Sequence, residues 1–211
     1  MAEAWHRRAV GGRWEEIGSL QFEFMKERGL RPHHDLLDVG CGSLRGGVHF
    51  VDYLEPGRYC GVDRSERMLE AGRQELEARG LTSKRPVLRL DSSFELEAFG
   101  RMFDFALAQS LFTHLQLNQI LLCLLQAERV LKPGAALYAT FFENPSGTHQ
   151  LGALEHAGVD GPIKTSIGSD PYHYGMDAFE WACEPTGLEL EYIGDWGHPR
   201  SQRMLAFTRT A

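Results

Sequence analysis

Three short stretches carry the residue types that could hold a nucleoside-like ligand. The first is Leu36-Leu37-Asp38-Val39-Gly40-Cys41-Gly42-Ser43-Leu44-Arg45-Gly46-Gly47, an apolar run opening into a glycine-rich turn. Glycine lets a backbone approach a ligand closely and take positive φ. The spacing departs from the G-x-G-x-x-G of a pyrophosphate-binding turn. Arg45 stands at the third glycine position, and Gly46 and Gly47 follow it. Asp38, just before the turn, suits a cationic amine and would repel phosphate. The second stretch, Gly61-Val62-Asp63-Arg64-Ser65, puts an acid 21 residues after Gly42. A carboxylate at the end of such a strand can accept both hydroxyls of a ribose. The third, Leu90-Asp91-Ser92-Ser93, offers polar side chains to an adenine amino group.

Groups able to take a proton lie further along. His114 ends Gln109-Ser110-Leu111-Phe112-Thr113-His114, and His149, His156 and His173 fall in or near a later Gly- and Ser-broken stretch. His114, His149 and His173 are the candidate catalytic bases, against the plainer reading of His114 as a helix-capping or packing residue. Tyr172 and Tyr174 could shape the same pocket, and His198 is either a turn residue or a substrate contact. His33 and His34 precede the first strand and are expected to be solvated. Cys41, Cys60, Cys123 and Cys183 form no C-x-x-C pair. They read as small core residues in a reducing cytoplasm.

The elements that must position these groups alternate between strand and helix. Asp35–Val39, Tyr59–Asp63, Pro86–Leu90, Phe103–Ala108 and Ala135–Phe142 read as strands, the first ending at Gly40 and the third at Asp91. Between them, helical spacing is expected from about Gly47 to Leu54, after Ser65, and from Leu115 to Leu131, where Lys132-Pro133-Gly134 stops it. Trp14, Ile17, Leu20, Phe24 and Met25 predict an amphipathic cover helix within residues 1–30. Such alternation means a parallel sheet with helices on both faces, an α/β three-layer sandwich. Ligands of such sheets bind beyond the carboxyl ends of the strands. Leu188–Tyr192 and Arg203–Thr208 flank a short turn and should pair antiparallel. Residues 143–173 are long for a plain connection and are expected to be a substrate loop or lid.

With Leu131-Lys132-Pro133-Gly134-Ala135, which is similar to the L-K-P-G-G stretch before the fifth strand of that family, these residues resemble the Rossmann-like, class I S-adenosylmethionine-dependent methyltransferases of small-molecule type. The resemblance covers roughly Leu30 to Phe142. It implies one domain over 1–211 and a seven-stranded, mostly parallel sheet of order 3-2-1-4-5-7-6 with the last strand antiparallel. It also implies S-adenosylmethionine as cofactor and S-adenosylhomocysteine as product. Asp38 and the Gly40 and Gly42 backbone would then hold the methionine part, and Asp63 the ribose. Arg64 and Met68 would lie near the adenosine, Asp91 and Ser92 would face the adenine, and Gln109 would lie under the sulfonium. Leu44 and Arg45 of the turn are counted with this site, although many members have a glycine where Leu44 stands.

Composition narrows the acceptor. The 211 residues carry a formal charge of −7, which disfavours nucleic acid and an anionic membrane surface as partners. The N-terminus has no signal-peptide pattern and no run reaches membrane-spanning length. The fourth strand lacks an Asn/Asp-Pro-Pro-aromatic run, no Pro-Cys dipeptide is present, and Gln109 stands where a metal-dependent catechol-type enzyme needs an acid. A soluble enzyme of the cytoplasm, methylating a small molecule at oxygen or nitrogen without a metal, is therefore expected. The competing readings are a non-catalytic S-adenosylmethionine-binding partner protein and an NAD(P)-dependent oxidoreductase. The second is opposed by Asp38 and Arg45.

Overall fold

The computed structural model describes residues 4–146 and 152–210. The backbone gathers into two units, Met1–Glu95 with Phe103–Leu107, and Leu96–Met102 with Ala108–Ala211.

The first unit opens with α1 (Trp5–Ala9) and α2 (Trp14–Glu27). α2 is the expected cover helix, with Trp14, Ile17, Phe24 and Met25 on its buried face. α1 is an addition to the expected single helix. Then follow β1 (Leu36–Val39), α3 (Gly47–Tyr53), β2 (Tyr59–Asp63), α4 (Glu66–Ala78), β3 (Val87–Leu90) and β4 (Phe103–Ala108). All four β1 residues are buried, as a strand covered on both faces requires. β1 pairs in parallel with β2 and with β4, placing Asp38 opposite Gly61 on one side and Leu107 on the other. Asp35 was expected to open this strand and instead precedes it. Its N–H donates to Asp104 Oδ2 at 2.8 Å, and its carboxylate pairs with Arg58 at 3.0 Å. Ser65 caps α4, accepting from the Met68 N–H at 3.3 Å.

The second unit holds α5 (Leu117–Val130), β5 (Leu131–Glu143), β6 (Leu154–His156), β7 (Ile163–Thr165), β8 (His173–Tyr174), α6 (Met176–Cys183), β9 (Leu188–Asp195) and β10 (Arg203–Arg209). α5 begins at a capping box made by Gln116 and Gln119. β5 is longer than expected, because Lys132-Pro133-Gly134 continues as extended chain directly from the helix end. The segment expected to be a loop carries an antiparallel hairpin, β6 with β7. Val159 N–H donates to Pro199 O at 3.0 Å and Ser201 Oγ to Ala157 O at 2.7 Å, fixing that hairpin to the turn before β10. α6 was not foreseen. Phe179 and Ala182 bury one side of it.

β10 runs antiparallel to both β5 and β9. The strand order is β3-β2-β1-β4-β5-β10-β9, with β8 added beside β5. This is the expected Rossmann-like order, extended by one two-residue strand. No helix among the described residues is long and apolar enough to cross a membrane.

Candidate functional site

β1 ends where hydrogen bonds from the following turn shape a cradle. Gly40 and Cys41 N–H groups both donate to Val62 O, at 2.8 and 3.0 Å. Gly42 N–H donates to Asp63 Oδ2 at 2.9 Å, and Ser65 N–H donates to Asp63 Oδ1 at 2.8 Å. Asp63 therefore joins the turn after β1 to the start of α4, with each oxygen already accepting one bond. Gly42 takes φ +55°, and a Cβ there would come within 3.2 Å of Val10 Cγ1 and 3.7 Å of Met68 Cε. Leu44 takes φ +66°, the backbone a glycine would adopt. Its fully buried side chain fills the space beside Gly47 and Gly72, where an added Cβ would lie 2.9 and 2.8 Å from leucine atoms. A left-handed non-glycine residue costs about 1–2 kcal/mol. Burying a leucine contributes about as much or more, so packing holds the turn open without the glycine.

Asp38 is 4% exposed and accepts a hydrogen bond from Tyr59 Oη at 2.6 Å. Burial pushes its carboxyl up to about 7. The Tyr59 hydrogen bond pulls it back, the negative Asp63 adds to the rise, and Arg45 opposes it. A carboxylate in this state gains most from a cationic partner. Tyr59, which sequence reasoning passed over, is pushed well above its ordinary range by the same burial, with Asp38 next.

Arg45, counted with the cofactor site, is buried and reaches back to the N-terminal segment. Its guanidinium donates to Val10 O at 2.6 Å and Gly12 O at 3.3 Å. It thus holds the segment carrying α1, whose Val10 lies against Gly42. His6 and Arg7 reach Glu75 on α4 at 2.8 Å each, and the Arg67 guanidinium sits 3.7 Å from the Trp5 ring centre. The Asp91 carboxylate accepts from the Ser93 and Glu95 N–H groups at 2.8 and 2.7 Å, which makes it first a loop cap. Arg64 and Ser92 are exposed, and Met68 is half-buried beside Gly42.

The other predicted residues belong to the second unit. Gln109 is buried. Its Nε2 donates to Ser110 Oγ at 3.0 Å and Gln202 Oε1 at 3.3 Å. Thr140 Oγ1 donates to the same Gln202 oxygen at 2.8 Å and accepts from Ser110 N–H at 2.7 Å. Gln109 Oε1 is buried without a hydrogen-bond partner among the described residues. His114 is exposed, and its Nδ1 is bonded to Asp170 Oδ1. His173, the third candidate base, is buried in a side-chain cluster. It is 3% exposed, and its Nδ1 meets Thr165 Oγ1 at 2.9 Å, which also meets His156 Nε2 at 2.8 Å. Burial and the neighbouring His173 hold His156 below its ordinary range. These two histidines link β6, β7 and β8. His198 is also buried, with its ring 5.4 Å from Trp196 and its Nδ1 accepting from Arg200 N–H at 3.2 Å. His149 lies outside the described residues.

Among known proteins, residues 37–137 match the model of a methyltransferase domain. A 103-residue stretch, 47% of this chain, is 30% identical to an uncharacterized methyltransferase of Schizosaccharomyces pombe. The match spans 36% of that relative, so the chain answers to about a third of it. A solved S-adenosylmethionine-dependent methyltransferase from Clostridium acetobutylicum is similar with a TM-score of 0.70 at 12% identity, over 96% of this chain and 94% of the other. A sugar N-methyltransferase from Streptoalloteichus is similar with a TM-score of 0.67 at 19% identity, over 100% and 96%. The fold is that of the Rossmann-like S-adenosylmethionine-dependent methyltransferases, and the stretch from β1 into β5 is similar to a methyltransferase domain.

Proposed function

We propose that this chain moves a methyl group from S-adenosylmethionine to a small-molecule acceptor at oxygen or nitrogen. The observation carrying the reading is Asp38, a buried carboxyl raised to about 7 beside a glycine turn. It favours a ligand that brings its own cation, as an amino acid part does, over one that brings phosphates. Asp38 with the Gly40 and Gly42 backbone would take the methionine part. Asp63, which retains lone pairs beyond its two backbone bonds, would take the ribose. Leu44 sets the turn, Met68 would pack on the adenosine, and Arg64, Asp91 and Ser92 are the polar groups nearest in sequence to the adenine end. S-adenosylmethionine, when bound, supplies an already activated methyl group. The protein's share is then alignment and exclusion of water, with a base where the acceptor must lose a proton. Gln109 would orient the reacting end and His114 would serve as the base.

A small acceptor is favoured by the formal charge of −7 and by the similarity in fold to a sugar N-methyltransferase. We also propose a cytoplasmic location, which the buried thiols of Cys41 and Cys123 suit. The test is a melting series with S-adenosylmethionine, S-adenosylhomocysteine and NAD. A ligand at about 100 times its dissociation constant adds roughly 2.7 kcal/mol, a rise of about 5–10 °C for a chain this size. A rise with the two adenosyl ligands alone is expected. A rise with NAD alone would overturn the reading, and bound cofactor with no turnover of any acceptor would favour a binding protein.

A further inference from the structure

We propose that Asp170 fixes the His114 imidazole in the tautomer whose Nε2 carries a lone pair, and that this nitrogen takes the proton of an acceptor hydroxyl or amine. The proposal rests on the methyl-transfer reading above and adds a positioning residue, Asp170, that no motif singles out.

The backbone beneath His114 is held firmly. Phe112 and Thr113 are fully buried in the turn that follows β4, Thr113 Oγ1 donates to Ser110 O at 2.6 Å, and His114 N–H donates to Leu111 O at 2.9 Å. The segment entering β8 runs alongside. Tyr172 N–H donates to Thr113 O at 2.7 Å, and Tyr174 Oη donates to Leu115 O. Those contacts set Asp170 in register with His114, although 56 residues separate them in sequence. An ionised carboxylate has no proton to give, so the shared hydrogen must sit on Nδ1. A neutral imidazole has only one such hydrogen, so Nε2 is left as an acceptor.

Exposure separates this histidine from the others. His114 and Asp170 side chains are 51% and 48% exposed, so a ligand can reach the ring. In His156 and His173 a ring nitrogen is already taken by Thr165 and the rings are less accessible. An exposed side-chain hydrogen bond of this kind adds little to stability. Its loss should therefore leave the fold intact. In the step itself the proton leaves the acceptor atom for Nε2. The bonding pair stays on that atom and forms the new bond to the methyl carbon, while the carbon–sulfur pair returns to sulfur. The imidazolium formed stands beside the Asp170 carboxylate.

The test uses the full chain and its variants Asp170→Asn and His114→Gln. Nitrogen-15 correlation spectra at pH 8, with the His114 signals identified by their loss in His114→Gln, read the tautomer without any acceptor. The expected result is a protonated Nδ1 and bare Nε2 in the parent chain, with a mixture of tautomers in Asp170→Asn. In parallel, S-adenosylhomocysteine release is followed with a panel of phenols, carboxylic acids and amino sugars. Asp170→Asn should lower kcat roughly 10- to 10³-fold while cofactor affinity stays within about twofold. A protonated Nε2 in the parent chain, or a tautomer unmoved by Asp170→Asn, overturns the proposal. So does turnover indifferent to both substitutions, or no turnover with any panel member while cofactor binds. Failure of cofactor binding itself strikes the methyl-transfer reading instead, and the spectra still judge Asp170.

Discussion

At Asp38 two demands oppose each other. The fold buries a carboxyl beside Tyr59, and the proposed ligand needs that carboxyl ionised. Its ordinary value of 3.8 is raised to about 7, so between those pH values the unfolded chain has lost a proton that the folded chain keeps. Stability therefore falls as pH rises through that window and levels off above it. Three units set an upper bound of about 4 kcal/mol. Asp38→Asn keeps the shape and removes the charge. Its ligand-free melting temperature should match the parent below pH 4 and exceed it by several degrees above pH 7. In the parent chain the affinity for S-adenosylmethionine should rise with pH up to about 7, and in Asp38→Asn it should be lost at every pH. Equal melting curves at pH 8, or an affinity flat from pH 5 to 8, would contradict this.

The residues legible beforehand were those whose type is uncommon in a strand or turn. Asp38, Gly42 and Asp63 announce themselves because an acid or a glycine at a strand end has few structural excuses. Leu44 was counted with the turn, but its left-handed backbone was not legible, because it is imposed by what its side chain fills and not by its own preference. Tyr59 looked like one more strand aromatic, since the atom that matters is a hydroxyl meeting an acid on the neighbouring strand. Asp170 sat among glycines, serines and a proline, where an acid is ordinary.

Among the elements, α1 has the most to say. Gly11, Gly12 and Arg13 all take positive φ, separating α1 from α2. Arg45, His6 and Arg7 then fasten α1 down over the glycine turn. Hydrogen bonds from a charged donor contribute about 1.5–3 kcal/mol each. Arg45→Gln should therefore loosen residues 4–13 and speed S-adenosylhomocysteine release by about tenfold or more, measured by displacement with excess ligand. An unchanged rate would mean that α1 packs there without covering the ligand. The strand and helix pattern of 36–142 was legible because most of its runs end at Gly, Pro or an acid. The β6–β7 hairpin was not, because its three-residue strands lie among Gly, Pro and Ser and owe their pairing to Thr165, His156 and the 198–201 turn.

For the whole molecule, 29 acidic against 22 basic residues leave a field that repels polyanions. A short DNA duplex should show no saturable binding near 0.15 M salt. Binding whose logarithm falls steeply with the logarithm of salt concentration would instead reveal a concentrated basic face and reopen the choice of acceptor.

The order of strands also differs from the order of synthesis. β10 comes after β9 in the chain, yet it lies between β5 and β9 and pairs with both. Until residues 203–209 have left the ribosome, one edge of the apolar strand β5 has no partner. An open apolar edge is a template for other chains. Synthesis of residues 203–209 therefore closes the surface through which unfinished copies of this chain would stick together, and chains cut short before Arg203 should yield aggregates.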